Sequence, residues 1–365
     1  MSRWEYTESE LWRFGEGEIS IYHVFGSIAV GSTVLVFAEG RHGAGGDASD
    51  LHDIYMKKST DGGKSFGDSI CLLACEGIHC FCNPTPLFDA QTGKLFLSFA
   101  ENFGNARTEV RLMESTDLGE SWSTPRDLTP SILEKSDLPF HLPGPGHGIQ
   151  LQKAPYTGRL LLQIWHRLGS TKLPRTERGY CVSLLYSDDH GAHWSATEPI
   201  GHAHCCNESR LCETATGVLF TLRSFDLKHT MARSTDGGVT WGEVEIMPLP
   251  PANVCDAGLL ALQGRGAYTD TVLLSRISNV EKGERRNMEI RISTDGGCSF
   301  PDSFLLPAGD AMPGYSDLCL LREGVEDTVG LLHCRCNHVL FSRISLQALT
   351  NGKYDATTRH VWEKL

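Results

Sequence analysis

Apolar residues along this chain recur in short runs with a period of two. DIYMKKS at 53–59 and EIRIS at 289–293 place alternate side chains on opposite faces, as expected of half-buried strands. Long apolar stretches with a 3.6-residue period are scarce. The 38 glycines mark many turns between the runs. The pattern predicts a mostly β protein.

The turns themselves repeat. Five segments share Ser-x-Asp-x-Gly, then two more residues and an aromatic: Ser59–Phe66, Ser115–Trp122, Ser187–Trp194, Ser234–Trp241 and Ser293–Phe300. Their starts are separated by 56, 72, 47 and 59 residues, a spacing that suits one four-stranded propeller blade per repeat. The glycine supplies positive φ at low cost. The Asp carboxylate accepts hydrogen bonds from the turn's own amides, and the aromatic anchors the turn in the layer between sheets. The role read for these boxes is structural. No Pro/Gly/Ser tract or charge block divides the 365 residues, so one domain spanning 1–365 is expected, an all-β propeller of four-stranded antiparallel blades.

Composition narrows the partners. A formal net charge of -12 disfavours nucleic acid and anionic membrane surfaces, which need a basic face. No apolar run reaches the length of a membrane span. The first thirty residues hold no basic segment followed by an apolar one, and the 13 cysteines are an odd number. A cytoplasmic protein with reduced thiols is therefore expected. Cys80 with Cys82, Cys205 with Cys206 and Cys334 with Cys336 lie close in sequence but lack zinc-site spacing. GPGHGI at 144–149 lacks the spacing of a dinucleotide fingerprint. No metal or cofactor is expected. Asn207 begins an N-E-S sequon, which is read as unmodified in the absence of a leader.

Beyond the five boxes, FAEGR at 37–41, NPTPLFDAQTGKLFLSF at 83–99, GPGHGIQL at 144–151, NESRLCETATG at 207–217, RRNMEIRIS at 285–293 and GYSDL at 314–318 resemble the sialidases, in that family's order and across almost the whole chain. The resemblance implies a six-bladed propeller and an exo-acting retaining glycosidase that releases a terminal sialic acid from a sialylated glycan or a related sugar-acid ketoside. Such a substrate carries a carboxylate on its anomeric carbon, which repels a carboxylate nucleophile at short range. A tyrosine, deprotonated as it attacks, avoids that repulsion and departs from the usual two-carboxylate scheme. Tyr315 in GYSDL matches the family's nucleophile, and Glu208 in NESRL its base. Asp47, twelve residues before Ser59, matches the acid on a glycine-rich loop, with Asp50 and Asp53 as competitors. Arg223 and Arg285 match two of the three arginines that grip the substrate carboxylate through guanidinium forks. Arg286 would then point away. Arg41 matches a pocket residue that Glu39 would orient. His147 is placed on a loop at the pocket rim, and Asp256 falls where relatives contact a sugar hydroxyl.

The chain departs from the family pattern at two positions. His23 stands where the first arginine of the triad is expected, followed by Val24-Phe25 in place of Ile-Pro, and Cys334 stands where that arginine's glutamate partner is expected. Losing both avoids an unpaired charge beside a bound carboxylate. The double change points to a reworked pocket with a different preference among sialic acid, Kdn, Kdo or a modified form. As imidazolium, His23 would contact a carboxylate best below neutral pH. A different class of function, a weak propeller that binds a sugar acid without turnover, rests on the same missing arginine.

Overall fold

The computed structural model describes residues 6–354 apart from 46, 48–50, 78, 170–172, 174–176, 225–227, 263–267, 282–284, 308–313 and 324–325. Its strands form six antiparallel sheets. The first blade is Ile21–Val30, Thr33–Arg41, His52–Ser59 and Ile70–Leu73. The second is His79–Asp89, Lys94–Phe103, Arg107–Ser115 and Arg126–Asp127. In the third, His141–Pro143 and Ile149–Gln150 share the innermost position against Leu160–Arg167, followed by Tyr180–Ser187 and Ser195–Ala196. The fourth runs Ser209–Thr214, Gly217–Arg223, His229–Ser234 and Glu245–Ile246. The fifth is Gly258–Leu262, Thr271–Ile277, Met288–Ser293 and Asp302–Leu305. The sixth contains Ser316–Glu323, Glu326–Arg335 and His338–Ser345, and its outer strand is the N-terminal Tyr6–Arg13. This pairing of N-terminal strand with last blade closes the ring and covers an edge. The propeller expected from the repeat, with the six blades that the resemblance implies, is thus the observed fold. Among the described residues, no helix is long and apolar enough to cross a membrane.

Antiparallel pairing assigns the two ends of the ring to different tasks. The start of each first strand, the end of each second strand and the start of each third strand share one face, here called the mouth. Each box begins at the last residue of a third strand, so the five boxes gather on the opposite face. There Ser59 Oγ donates to Asp61 Oδ1 at 2.7 Å and accepts from the Gly63 amide at 2.9 Å, while Asp61 accepts the amides of Lys64 and Ser65 at 3.0 Å. The same Ser–Asp–amide pattern recurs in the other four boxes.

Each box also seals its blade to the one before. Trp122 of the second blade meets Phe37 of the first edge-on at 6.3 Å, and Trp194 of the third meets Phe96 of the second at 6.3 Å. The interblade layers are apolar: Leu35, Phe37 and Met56 pack with Leu95, Leu97 and Met113 between the first two blades. The box glycines fit there because they lack Cβ. At Gly191, with φ of 81°, a Cβ would lie 2.6 Å from Phe96.

Two measurements test this account. Gly191→Ala combines a left-handed backbone with a clash and is expected to cost about 2–4 kcal/mol in urea unfolding. Gly93→Ala, with φ of 75° and nothing within 4 Å, should cost only about 1 kcal/mol; equal costs would contradict the sealing role. The second concerns pH. Burial pushes His141 and His333 down to about 4 and His166 and His229 down to about 3. The unfolded chain binds protons near pH ~6.5 that the folded chain refuses, so stability is full above that pH and falls as pH drops from there toward 4. Each histidine contributes a slope of about 1.4 kcal/mol per pH unit. The urea midpoint should fall steadily between pH 7 and 5, and a flat profile would contradict buried neutral imidazoles.

Candidate active site

The mouth gathers residues far apart in sequence. Tyr315 precedes the first strand of the sixth blade, Asn207 and Glu208 precede that of the fourth, and Arg223 ends the fourth blade's second strand. All four are nine-tenths or more buried. The Tyr315 hydroxyl donates to Glu208 Oε1, and Arg223 Nη1 donates to Glu208 Oε2. Arg223 Nη1 also lies 3.2 Å from the Tyr315 hydroxyl. Burial, then the neighbouring Glu208 carboxylate, raises the Tyr315 phenol well above its ordinary range, and Arg223 opposes this only in part. The phenol is therefore neutral at rest. Burial disfavours charge on Arg223, but Glu208 outweighs it and keeps the guanidinium charged. The arrangement holds a neutral phenol against a carboxylate placed to take its proton.

Arg41 ends the second strand of the first blade. It donates through Nε to Glu39 Oε2 at 2.8 Å and through Nη1 to Asp47 Oδ1 at 2.7 Å. Glu39 in turn accepts the Asn83 amide at 2.8 Å, so Glu39 orients Arg41 and joins the first two blades. Asp47 lines the same cleft as Tyr315, Glu208, Arg223 and Arg41, and its side chain is 61% exposed. Asp53, the alternative acid, is instead engaged by His42 Nε2 at 2.9 Å and by the Cys75 amide at 2.8 Å. Asp50 lies outside the described residues. Arg285 is half-buried and Arg286 exposed. The field at Arg285 comes from Cys255, Arg223, Tyr315 and Glu208, which brings its charge close to the Tyr315 phenol and the Glu208 carboxylate.

His23 packs its ring against Tyr315 with centroids 4.4 Å apart. A bulge creates this contact: the register shifts between His23 and Phe25, and Val24 takes φ of 49°. The same device occurs in the second blade, between Cys82 and Thr85, with Asn83 at φ of 55°. Such bulges re-aim side chains at strand ends. Burial, and then Arg41, Arg285 and Arg223, lower His23 well below its usual range. The imidazole is therefore neutral, and the imidazolium considered from sequence is disfavoured by three guanidinium groups. Cys334 stands close by: a Cβ on Gly314 would lie 2.5 Å from Cys334 Sγ and 3.6 Å from His23 Cε1.

Two residues occupy places other than those expected. GPGHG is not a rim loop but an interruption of the third blade's innermost strand. Gly146 N donates to Phe25 O at 2.7 Å and Gly148 N to Pro86 O at 2.8 Å. A Cβ on Gly146 would lie 2.4 Å from Arg210 Nε, so glycine lets this segment approach the axis. His147 thereby faces Asp317, with Nδ1 3.1 Å from Oδ1. Asp256 pairs with Arg210 Nη2. Burial raises Asp256, whereas His147, Arg210 and Ser27 outweigh burial at Asp317 and lower it. These groups tie the inner strands together below the mouth.

Asn83, Asn102, Asn105, Trp165, Arg167, Arg178 and Tyr180 line the cleft and were not found from sequence. A repeat-aligned reading holds a signal for one of them: Arg41, Arg167 and Arg223 each end a second strand. Among the described residues, His52 with Cys80 and Cys82, and His42 with Asp53 and Cys75, have ligand atoms within 4.8 Å of one another. In the first group Cys82 Sγ lies 3.6 Å from His52 Nδ1, and in the second Asp53 is engaged by His42 and the Cys75 amide, so donors of both groups are already used within the protein. None of the thirteen cysteines is in a disulfide.

The BNR repeat-like domain family matches residues 32–334. An exo-alpha-sialidase of Arthroderma benhamiae is 31% identical over 87% of this chain and 81% of its own length. A sialidase of Micromonospora viridifaciens is 30% identical over 90% of this chain and 52% of its own length, so the chain spans about half of that relative. Among solved structures, a Hadza microbial sialidase superposes with a TM-score of 0.77 at 24% identity, covering 91% of this chain and 67% of its own. A leech intramolecular trans-sialidase gives 0.79 at 16% identity, covering 94% and 71%. With its blades, boxes and mouth residues in place, this chain belongs to the BNR-repeat sialidase family.

Proposed function

We propose that the protein is a retaining exo-glycosidase that releases a terminal sialic acid or a closely related 2-keto sugar acid. The observation that carries this reading is the buried contact in which the Tyr315 hydroxyl donates to Glu208 while Arg223 touches both. Arg223 and Arg285 hold the substrate carboxylate. Tyr315 attacks the anomeric carbon as Glu208 removes its proton, and Asp47 protonates the departing oxygen. A glycosyl–tyrosine bond forms and the glycosidic bond breaks. In the second half, Asp47 deprotonates water, the water oxygen bonds to the anomeric carbon, and Glu208 returns the proton to the tyrosine oxygen.

Wild-type protein should hydrolyse a 4-methylumbelliferyl sialoside, and Tyr315→Phe should lower kcat by at least about 10³-fold with the fold intact by circular dichroism. Turnover unaffected by Tyr315→Phe would refute the assigned nucleophile. Absence of turnover in the wild type, with sugar-acid binding retained, would favour the binding propeller.

His23 and Cys334 support a shifted preference within this substrate class. With a neutral imidazole where a third guanidinium is expected, the carboxylate is held by fewer charges, and the contacts elsewhere in the cleft weigh more. His23→Arg combined with Cys334→Glu is expected to raise kcat/KM for the N-acetylneuraminic ketoside relative to the Kdn and Kdo ketosides by about tenfold, the worth of one charge-assisted contact. An unchanged ratio across the panel would remove His23 from the account of specificity.

A further inference from the structure

Three second strands end in arginine at the mouth, namely Thr33–Arg41, Leu160–Arg167 and Gly217–Arg223. Two of these arginines have carboxylate partners: Arg41 has Glu39 and Asp47, and Arg223 has Glu208. Arg167 has none among the described residues, although only 8% of it is exposed. Its guanidinium lies 3.6 Å from the centroid of the Phe140 ring, and its one hydrogen bond runs from Nη2 to the Asn105 carbonyl at 2.6 Å. Charged groups this buried are ordinarily paired. Most of the donor fork of Arg167 is instead left for whatever enters the cleft it lines.

The surroundings sharpen the point. Arg178 lines the same end of the cleft. Burial and the Arg178 charge together lower Arg167 below its usual range, with only the Tyr180 phenol acting the other way. The Arg167 and Arg178 charges meet at this end of the cleft, which costs free energy in the empty protein and is relieved by an anion.

We infer that the third-blade end of the cleft is an anion subsite in which Arg167 receives a second negatively charged group of the substrate. This rests on the reading of the cleft as a ketoside site. The favoured ligand is a doubly acidic ketoside. The second charge is either an acidic ester on the same sugar acid or the carboxylate of a neighbouring acidic sugar.

Isothermal titration in the Tyr315→Phe background, where turnover is blocked, tests this with three ligands. They are the methyl α-ketoside of N-acetylneuraminic acid, its 9-O-sulfate, and an α2,8-linked disialoside. At least one doubly acidic ligand is expected to bind about tenfold or more tightly than the first at ~50 mM salt, with the gain shrinking as salt rises. The better of the two identifies the source of the charge. The gain should vanish in Arg167→Met and survive in part in Arg167→Lys, with melting temperatures confirming that both variants are folded. Equal affinity for all three ligands, or a gain that persists in Arg167→Met, overturns the subsite while leaving the ketoside reading intact. Failure of all three to bind overturns both.

Discussion

The ion pair between Arg223 and Glu208 is what the mouth is organised around. Neither charge could be buried alone without a cost of several kcal/mol. Together they compensate each other and leave one Glu208 oxygen turned to the Tyr315 hydroxyl. The pair therefore does two things with one contact. It gives a buried carboxylate a countercharge, and it holds that carboxylate where a phenol can surrender a proton to it. Arg285 adds positive field from the fifth blade, and the bulge at Val24 brings the neutral His23 ring against the tyrosine.

This assembly depends on the ring being rigid, and the propeller separates the two demands. Boxes and interblade aromatics stabilise one face, where Ser and Asp side chains satisfy turn amides. The other face collects strand starts and ends, which are free to carry charged groups because the turns that need fixing are elsewhere. Between them lies a polar layer around the axis: Arg210 links Asp256 and the Ser316 carbonyl, and Asp317 accepts from both the amide and the hydroxyl of Ser27 at 2.8 Å. The first, fourth, fifth and sixth blades are thereby joined below the cleft.

Much of this was legible in the residues. The boxes pointed to a propeller because their chemistry is local: a serine, an aspartate and a glycine within five residues suffice to define the turn, whereas the sixth blade carries no box and its closure by the N-terminal strand left no mark in the residues. Tyr315, Glu208, Arg223 and Arg41 stood in recognisable segments, and the fold brings them to one cleft. His147 and Asp256 were harder, because their surroundings are set by how closely Gly146 approaches the axis, a tertiary fact with no local mark. Asn83 and Val24 owe their positions to bulges, which shift strand register without leaving a turn signal. Arg167 was overlooked for another reason. Its significance lies in the missing carboxylate partner, and absence of a contact cannot be read from a motif.

The central claim is that Tyr315 forms a covalent bond to the sugar. Incubation with a 2,3-difluoro derivative of the sialic acid, which slows release of the intermediate, followed by peptide mass spectrometry, reads this directly. The account predicts a mass increment of one fluorosugar on the peptide containing Tyr315, formed in the wild type and absent in Glu208→Gln. An adduct on Asp47 or Glu208, or turnover with no adduct on Tyr315 at all, would contradict it.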